Sequence, residues 1–148
     1  MIGDPYHGWV LTEYIKNNRS RGGIMKSPDM FNQYQTDNIF ARMIRGQLEC
    51  RLILETEHTM AFHDAFPVAP VHVLIIPKGQ YITADDFFSQ ATDMEILDWR
   101  LVVAKVIDIM DIKESGYRLV CNARTDGGQV VPHFHMHVLG KISCGSMV

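Results

Sequence analysis

A chain of 148 residues, 47% apolar and 21% charged, has the size and make-up of one folded domain around a single interior. Its net charge of −3 excludes a generally basic face, so neither nucleic acid nor an anionic membrane is expected as a partner. Cys50, Cys121 and Cys144 form no CxxC pair, and no apolar run is long enough to span a bilayer. The expectation is a soluble cytoplasmic protein with reduced thiols and no signal peptide at Met1–Pro5.

In chain order, Trp9–Ile15 has the spacing of a short amphipathic helix, and Asn17–Gly23 reads as a polar linker. Asp37 or Asn38 can cap a short helix from Ile39 to Arg45, with Phe40, Met43 and Ile44 on one face. Three strands are expected next, at Arg51–Glu55, Thr59–His63 and Val71–Ile76, the last rich in β-branched residues. Asp85–Phe88 reads as one helical turn with a solvated acidic start. Asp93–Lys113 is the long helix, with Asp93 as its cap and Met94, Leu97, Leu101, Ala104, Ile107 and Met110 as its core stripe. Val102, Val103 and Val106 widen that face, which predicts cover on more than one side. Strands at Tyr117–Cys121 and His133–Leu139 close the series, joined by the loop 122–129. Short gaps between neighbouring strands permit hairpins, so the fold class is α+β on a mainly antiparallel, five-stranded sheet. Residues 37–148 form the domain and 1–36 an N-terminal arm.

Three histidines alternate along His133-Phe134-His135-Met136-His137. In an extended segment alternate side chains share a face, so the imidazoles line one side and Phe134, Met136 and Val138 the other. Two chemistries suit such a row. Imidazoles can hold zinc with one position left open. Alternatively, a neutral imidazole, largely present at pH 7, can attack phosphorus. Asp126-Gly127-Gly128-Gln129 just upstream favours the second, because glycines let backbone N–H groups approach phosphate oxygens.

The row His133-Phe134-His135-Met136-His137-Val138-Leu139 resembles the motif of the histidine-triad (HIT) family, in which three histidines alternate with apolar residues. Ile39-Phe40, Ala61-Phe62-His63-Asp64, Ala69-Pro70-Val71-His72, Ile76-Pro77-Lys78, Gly116-Tyr117-Arg118 and Asn122 extend the similarity from about Asn38 to Gly140. Their order looks most like the Hint branch, the purine nucleoside phosphoramidate hydrolases. The resemblance implies a HIT-like fold and an enzyme that cleaves the α-phosphate bond of an AMP or GMP derivative. His135 would be the nucleophile, His137 would lie beside the phosphate and leaving group, and His133 and His72 would orient the nucleophile. Asp64 would accept the ribose hydroxyls, and Asn122, Gly128 and Gln129 would lie at the phosphate. Ile39, Phe40, Ile44, Phe62 and His63 would wall the base and ribose. A homodimer is implied, and neither a cofactor nor a metal. The competing readings are a dinucleoside polyphosphate hydrolase, a nucleotide-binding regulatory protein with little turnover, and a metal site on the three histidines. The chain departs from Hint relatives at Val130, where serine is common, at Pro132, and after Gly140, where the aromatic and proline-rich tail is missing.

Overall fold

A computed structural model describes residues 28–147 of the chain. The helix expected at Trp9–Ile15 and the linker after it lie outside the described residues. A 3₁₀ turn, Pro28–Phe31, leads through an irregular segment to helix α1, Ile39–Ile44. Strands β1 (Leu52–Glu55), β2 (Thr59–His63) and β3 (Val71–Pro77) follow. Helices α2 (Ala84–Gln90) and α3 (Asp93–Ile109) then precede β4 (Tyr117–Val120) and β5 (Met136–Gly140). The strands make one antiparallel sheet in the order β1-β2-β3-β5-β4, an α+β fold.

β3 lies in the middle of the sheet with apolar layers on both faces, so all seven of its residues are buried. Burial on both faces explains its continuous apolar run, which a strand with one wet face would not tolerate. On one face Ala61, Val71, Val73, Ile75 and Val138 pack against α2 and α3 through Phe87, Trp99, Val102 and Val106. Phe134 completes this layer, stacked on Phe87 at 5.2 Å between ring centroids and 4.9 Å from Trp99. On the other face Met60, Phe62, Leu74, Ile76 and Val131 pack against Ile39 and Phe40 of α1.

The helix starts are set by side chains that accept otherwise unpaired N–H groups. Asn38 caps α1 by accepting from the Ala41 N–H at 2.9 Å. Thr83 and Asp86 close a capping box on α2, and Thr92 and Glu95 another on α3. The α3 cap is therefore Thr92, not Asp93. Its last helical residue is Ile109, four short of the expected end. Asp111 takes a φ of 52°, and the chain turns to bury Ile112 fully.

The buried stripe of α3 also differs from the expected one. Trp99, Val102, Val106 and Ile107 face the sheet, whereas Met94, Leu97 and Leu101 are 62%, 42% and 52% exposed. The helix is apolar on two faces, and spacing alone cannot choose which meets a sheet.

The histidine strand is shorter than expected, since β5 begins at Met136. The ladder pairs Ile75 with Met136, so its continuation would set Pro77 against Phe134. Pro77 has no N–H to offer, and the Phe134 N–H instead donates to the Tyr81 carbonyl at 2.7 Å. His133 and His135 therefore sit just before the strand. Packing also begins upstream of residue 37, with Phe31 5% exposed.

Candidate active site

β3 and β5 bring His72, Leu74 and His137 to the sheet face that carries α1, because Leu74 pairs with His137 and His72 with Leu139. His135, two residues earlier, keeps to that side: its ring meets Phe40 of α1 edge-on at 5.0 Å and His137 at 5.2 Å. Phe134 points the opposite way, into the α3 layer. The alternation read from the sequence survives even though the regular strand starts later.

Hydrogen bonds fix which nitrogen of each imidazole carries its proton. His135 Nδ1 lies 2.7 Å from the His133 carbonyl, which can only accept. Nδ1 therefore holds the proton and Nε2 keeps a free lone pair. His133 Nε2 donates to the Pro77 carbonyl at 2.8 Å, which leaves Nδ1 to accept from the Tyr34 hydroxyl at 2.6 Å. The Val68 N–H donates to His72 Nδ1 at 3.1 Å, so the His72 proton is on Nε2. That N–H donates to His137 Nδ1, 2.9 Å from His72 Nε2, which puts the His137 proton on Nε2. Adjacent imidazoles thus present opposite faces of the same chemistry, a bare nitrogen on His135 and an N–H on His137.

Burial keeps these rings neutral. It pushes His133 down to about 4, with the nearby His135 adding to the shift and the Pro77 bond opposing it. His137 is also held at about 4, first by burial and then by His135 and His72, with Asp64 opposing. His135 and His72 are lowered by burial against the attraction of Asp64 and, for His135, the bond to the His133 carbonyl.

Asp64 follows β2 and uses Oδ1 to accept from the Phe66 N–H at 2.7 Å. Its Oδ2 is 3.5 Å from His72 Nε2. Asp64, His72 and His137 are the one group among the described residues spaced to hold a metal ion. The donor set fits a metal poorly, because His72 Nε2 carries a proton while Val68 donates to Nδ1. Coordination there would need that contact broken or an imidazolate.

The remaining expected residues divide. Phe40 meets His133 and His135 edge-on, and Ile39 and Phe62 are buried in the same apolar layer, with Ile44 partly buried against it. Asn122 lies two residues beyond the pair Val120–His137, level with His135 if the ladder is extended. His63 pairs with Val73 and so belongs by register to the α3 face, opposite Phe62.

Gly128 and Gln129 are corrections. The N–H groups of Gly127, Gly128 and Gln129 donate to the Ala123, Thr125 and Arg124 carbonyls, which commits them inside a tight turn instead of leaving them for phosphate. Gln129 accepts from the Arg124 N–H at 2.9 Å and donates to the Ile82 and Val131 carbonyls at 2.6 and 2.9 Å. Its amide is fully used in holding the loop. The glycines serve the turn: a Cβ at Gly127 would lie 2.4 Å from the Ala123 oxygen, and Gly128 supplies the left-handed φ of 71° that the turn needs.

Three groups of the site gave no signal in the sequence: the Tyr34 hydroxyl, the Pro77 carbonyl and the Val68 N–H. Two are main-chain groups, and Tyr34 stands in the expected arm.

Comparison with known proteins agrees with this geometry. A HIT domain model matches residues 45–143. A HIT-like protein of Azospirillum brasilense is 44% identical over 119 residues, 80% of this chain and 98% of that one. The purine nucleoside phosphoramidase of Escherichia coli is 36% identical over 112 residues, 76% of this chain and 93% of that one. A solved histidine triad protein from Clostridium difficile superposes with a TM-score of 0.69 at 29% identity, covering 78% of this chain and all of its own. With its alternating histidines leading into the β5 strand of a five-stranded antiparallel sheet, the chain belongs to the HIT family.

Proposed function

We propose that the protein is a nucleotide hydrolase that cleaves purine nucleoside 5′-phosphoramidates, such as AMP joined to an amine, in two steps. His135 Nε2 gives its lone pair to the α-phosphorus, the P–N bond to the amine breaks, and the amine leaves with a proton from solvent. Water then attacks the nucleotidyl-histidine, breaking the P–Nε2 bond and returning AMP and free imidazole. His137 Nε2–H donates to the phosphoryl oxygens as charge builds there, a preformed donor in a half-buried site. Asp64 takes the ribose hydroxyls. Phe40, Ile39, Ile44 and Phe62 form the apolar wall for the base, and Asn122 reaches the phosphate.

The observation that carries this reading is the opposed tautomers of two rings 5.2 Å apart. A nucleophile and an oxyanion donor need that pair of states side by side, and a structural histidine cluster does not. The named activity of the Escherichia coli relative supports the choice of substrate. The test is incubation with adenosine 5′-phosphoramidate followed by mass spectrometry. AMP release and a transient adenylyl adduct on His135 are expected; binding without either product would overturn the proposal.

We further propose that two copies of the chain associate. The exposed Met94, Leu97 and Leu101 of α3, with Tyr117 and Leu119 at the open β4 edge, leave apolar surface that a second copy would cover.

A further inference from the structure

Tyr34 precedes α1 and lies upstream of the residues that match the family model. Its ring meets His133 edge-on at 5.6 Å, and its hydroxyl is 2.6 Å from Nδ1. Because His133 Nε2 donates to Pro77, Nδ1 has only a lone pair, and Tyr34 must be the donor. Asn38 ties the same segment to α1, its Nδ2 donating to the Gln35 carbonyl at 2.8 Å while its Oδ1 caps the helix. The imidazole of His133 is thus pinned at both nitrogens and has no exposed surface. The main-chain carbonyl of the same residue is the acceptor that holds His135 Nδ1.

The run of contacts is continuous: the Tyr34 hydroxyl to the His133 ring, and by the His133 carbonyl to His135. We propose that Tyr34 is a positioning residue, which holds the His133 backbone so that its carbonyl keeps the His135 proton on Nδ1 and the lone pair on Nε2. This rests on the reading of His135 as nucleophile. It makes the segment before α1 a working part of the site. The β-ladder cannot supply this hold, since it has not begun at His133.

The test uses the full-length Tyr34→Phe variant, which keeps the ring and removes only the donor. Turnover of adenosine 5′-phosphoramidate is measured against pH, and imidazole tautomers are read by ¹⁵N NMR. A kcat lower by about tenfold with KM within about twofold is expected, because the nucleophile is misplaced while nucleotide contacts remain. The acid limb should move to lower pH, since the bond from the His133 carbonyl is what raises the His135 pKa against burial, and loosening it lets that pKa fall. The NMR spectrum should show His135 losing its uniform Nδ1–H pattern. An unchanged acid limb and tautomer would overturn the proposal, even if kcat fell, because that drop would mark only a structural tyrosine. Should the wild-type chain not hydrolyse the substrate, the proposed function fails on its own, and the tautomer measurement still decides the role of Tyr34.

Discussion

The proton on His135 Nδ1 is held by a main-chain carbonyl, a partner that no side-chain substitution at position 133 removes. His135→Ala should therefore be the sharpest perturbation of chemistry. Turnover should fall by at least about a thousandfold, while nucleotide affinity measured by calorimetry stays within a few-fold, since ribose and base contacts persist. Retained turnover would remove His135 as nucleophile. The acid limb of kcat/KM follows from the direction of its shift. Burial lowers the His135 pKa below its ordinary 6.5, so the bare nitrogen persists under mildly acidic conditions. The limb is expected below pH 6.5, and a limb at 7 or above would contradict the environment described.

At the scale of elements, the 122–129 loop is the part whose chemistry was misjudged from sequence. Glycines beside a histidine row suggested free N–H groups, but those groups close the turn on itself. Gln129→Ala removes all three side-chain ties and should lower thermal stability and kcat/KM together, by about 2–3 kcal/mol in stability from two buried hydrogen bonds and one half-buried one. Unchanged melting and activity would show the loop to be held otherwise. Most strands were legible because their apolar runs and turn residues agree, and Thr59–His63 has its expected limits. The α3 stripe was not legible, since Met94-Leu97-Leu101 and Trp99-Val102-Val106 both satisfy helical spacing. Only the position of the sheet distinguishes them. Within the site, alternation revealed the three histidines and their common side, while Pro77 decided where the ladder ends. Main-chain partners such as the Val68 N–H carry no residue signature, so their part in fixing tautomers emerges only in three dimensions.

For the whole molecule, the exposed α3 row predicts association. Leu101→Glu should shift the sedimenting species from dimer to monomer without melting the core, because Leu101 is 52% exposed in the single chain. A wild-type chain that sediments as a monomer would end the proposal of paired copies. Acid should also weaken the fold. His133 takes a proton near pH 4 when folded and near 6.5 when unfolded, so between those values the unfolded chain binds more protons. Stability therefore rises with pH across the window and is lost on acidification from 6.5 to 4, by on the order of 3 kcal/mol for this one group. Urea midpoints at pH 7 and 4.5 check the sign, and an equal midpoint would contradict it.

The close contact of Phe134 with Trp99 gives the protein a built-in optical gauge. Trp99 is only 5% exposed, so its emission should be blue-shifted, and it touches the ring of the residue immediately before His135. In a Trp9→Phe background, nucleotide titration should change that fluorescence with no added dye, so ligand occupancy on one side of the sheet could be followed from the other.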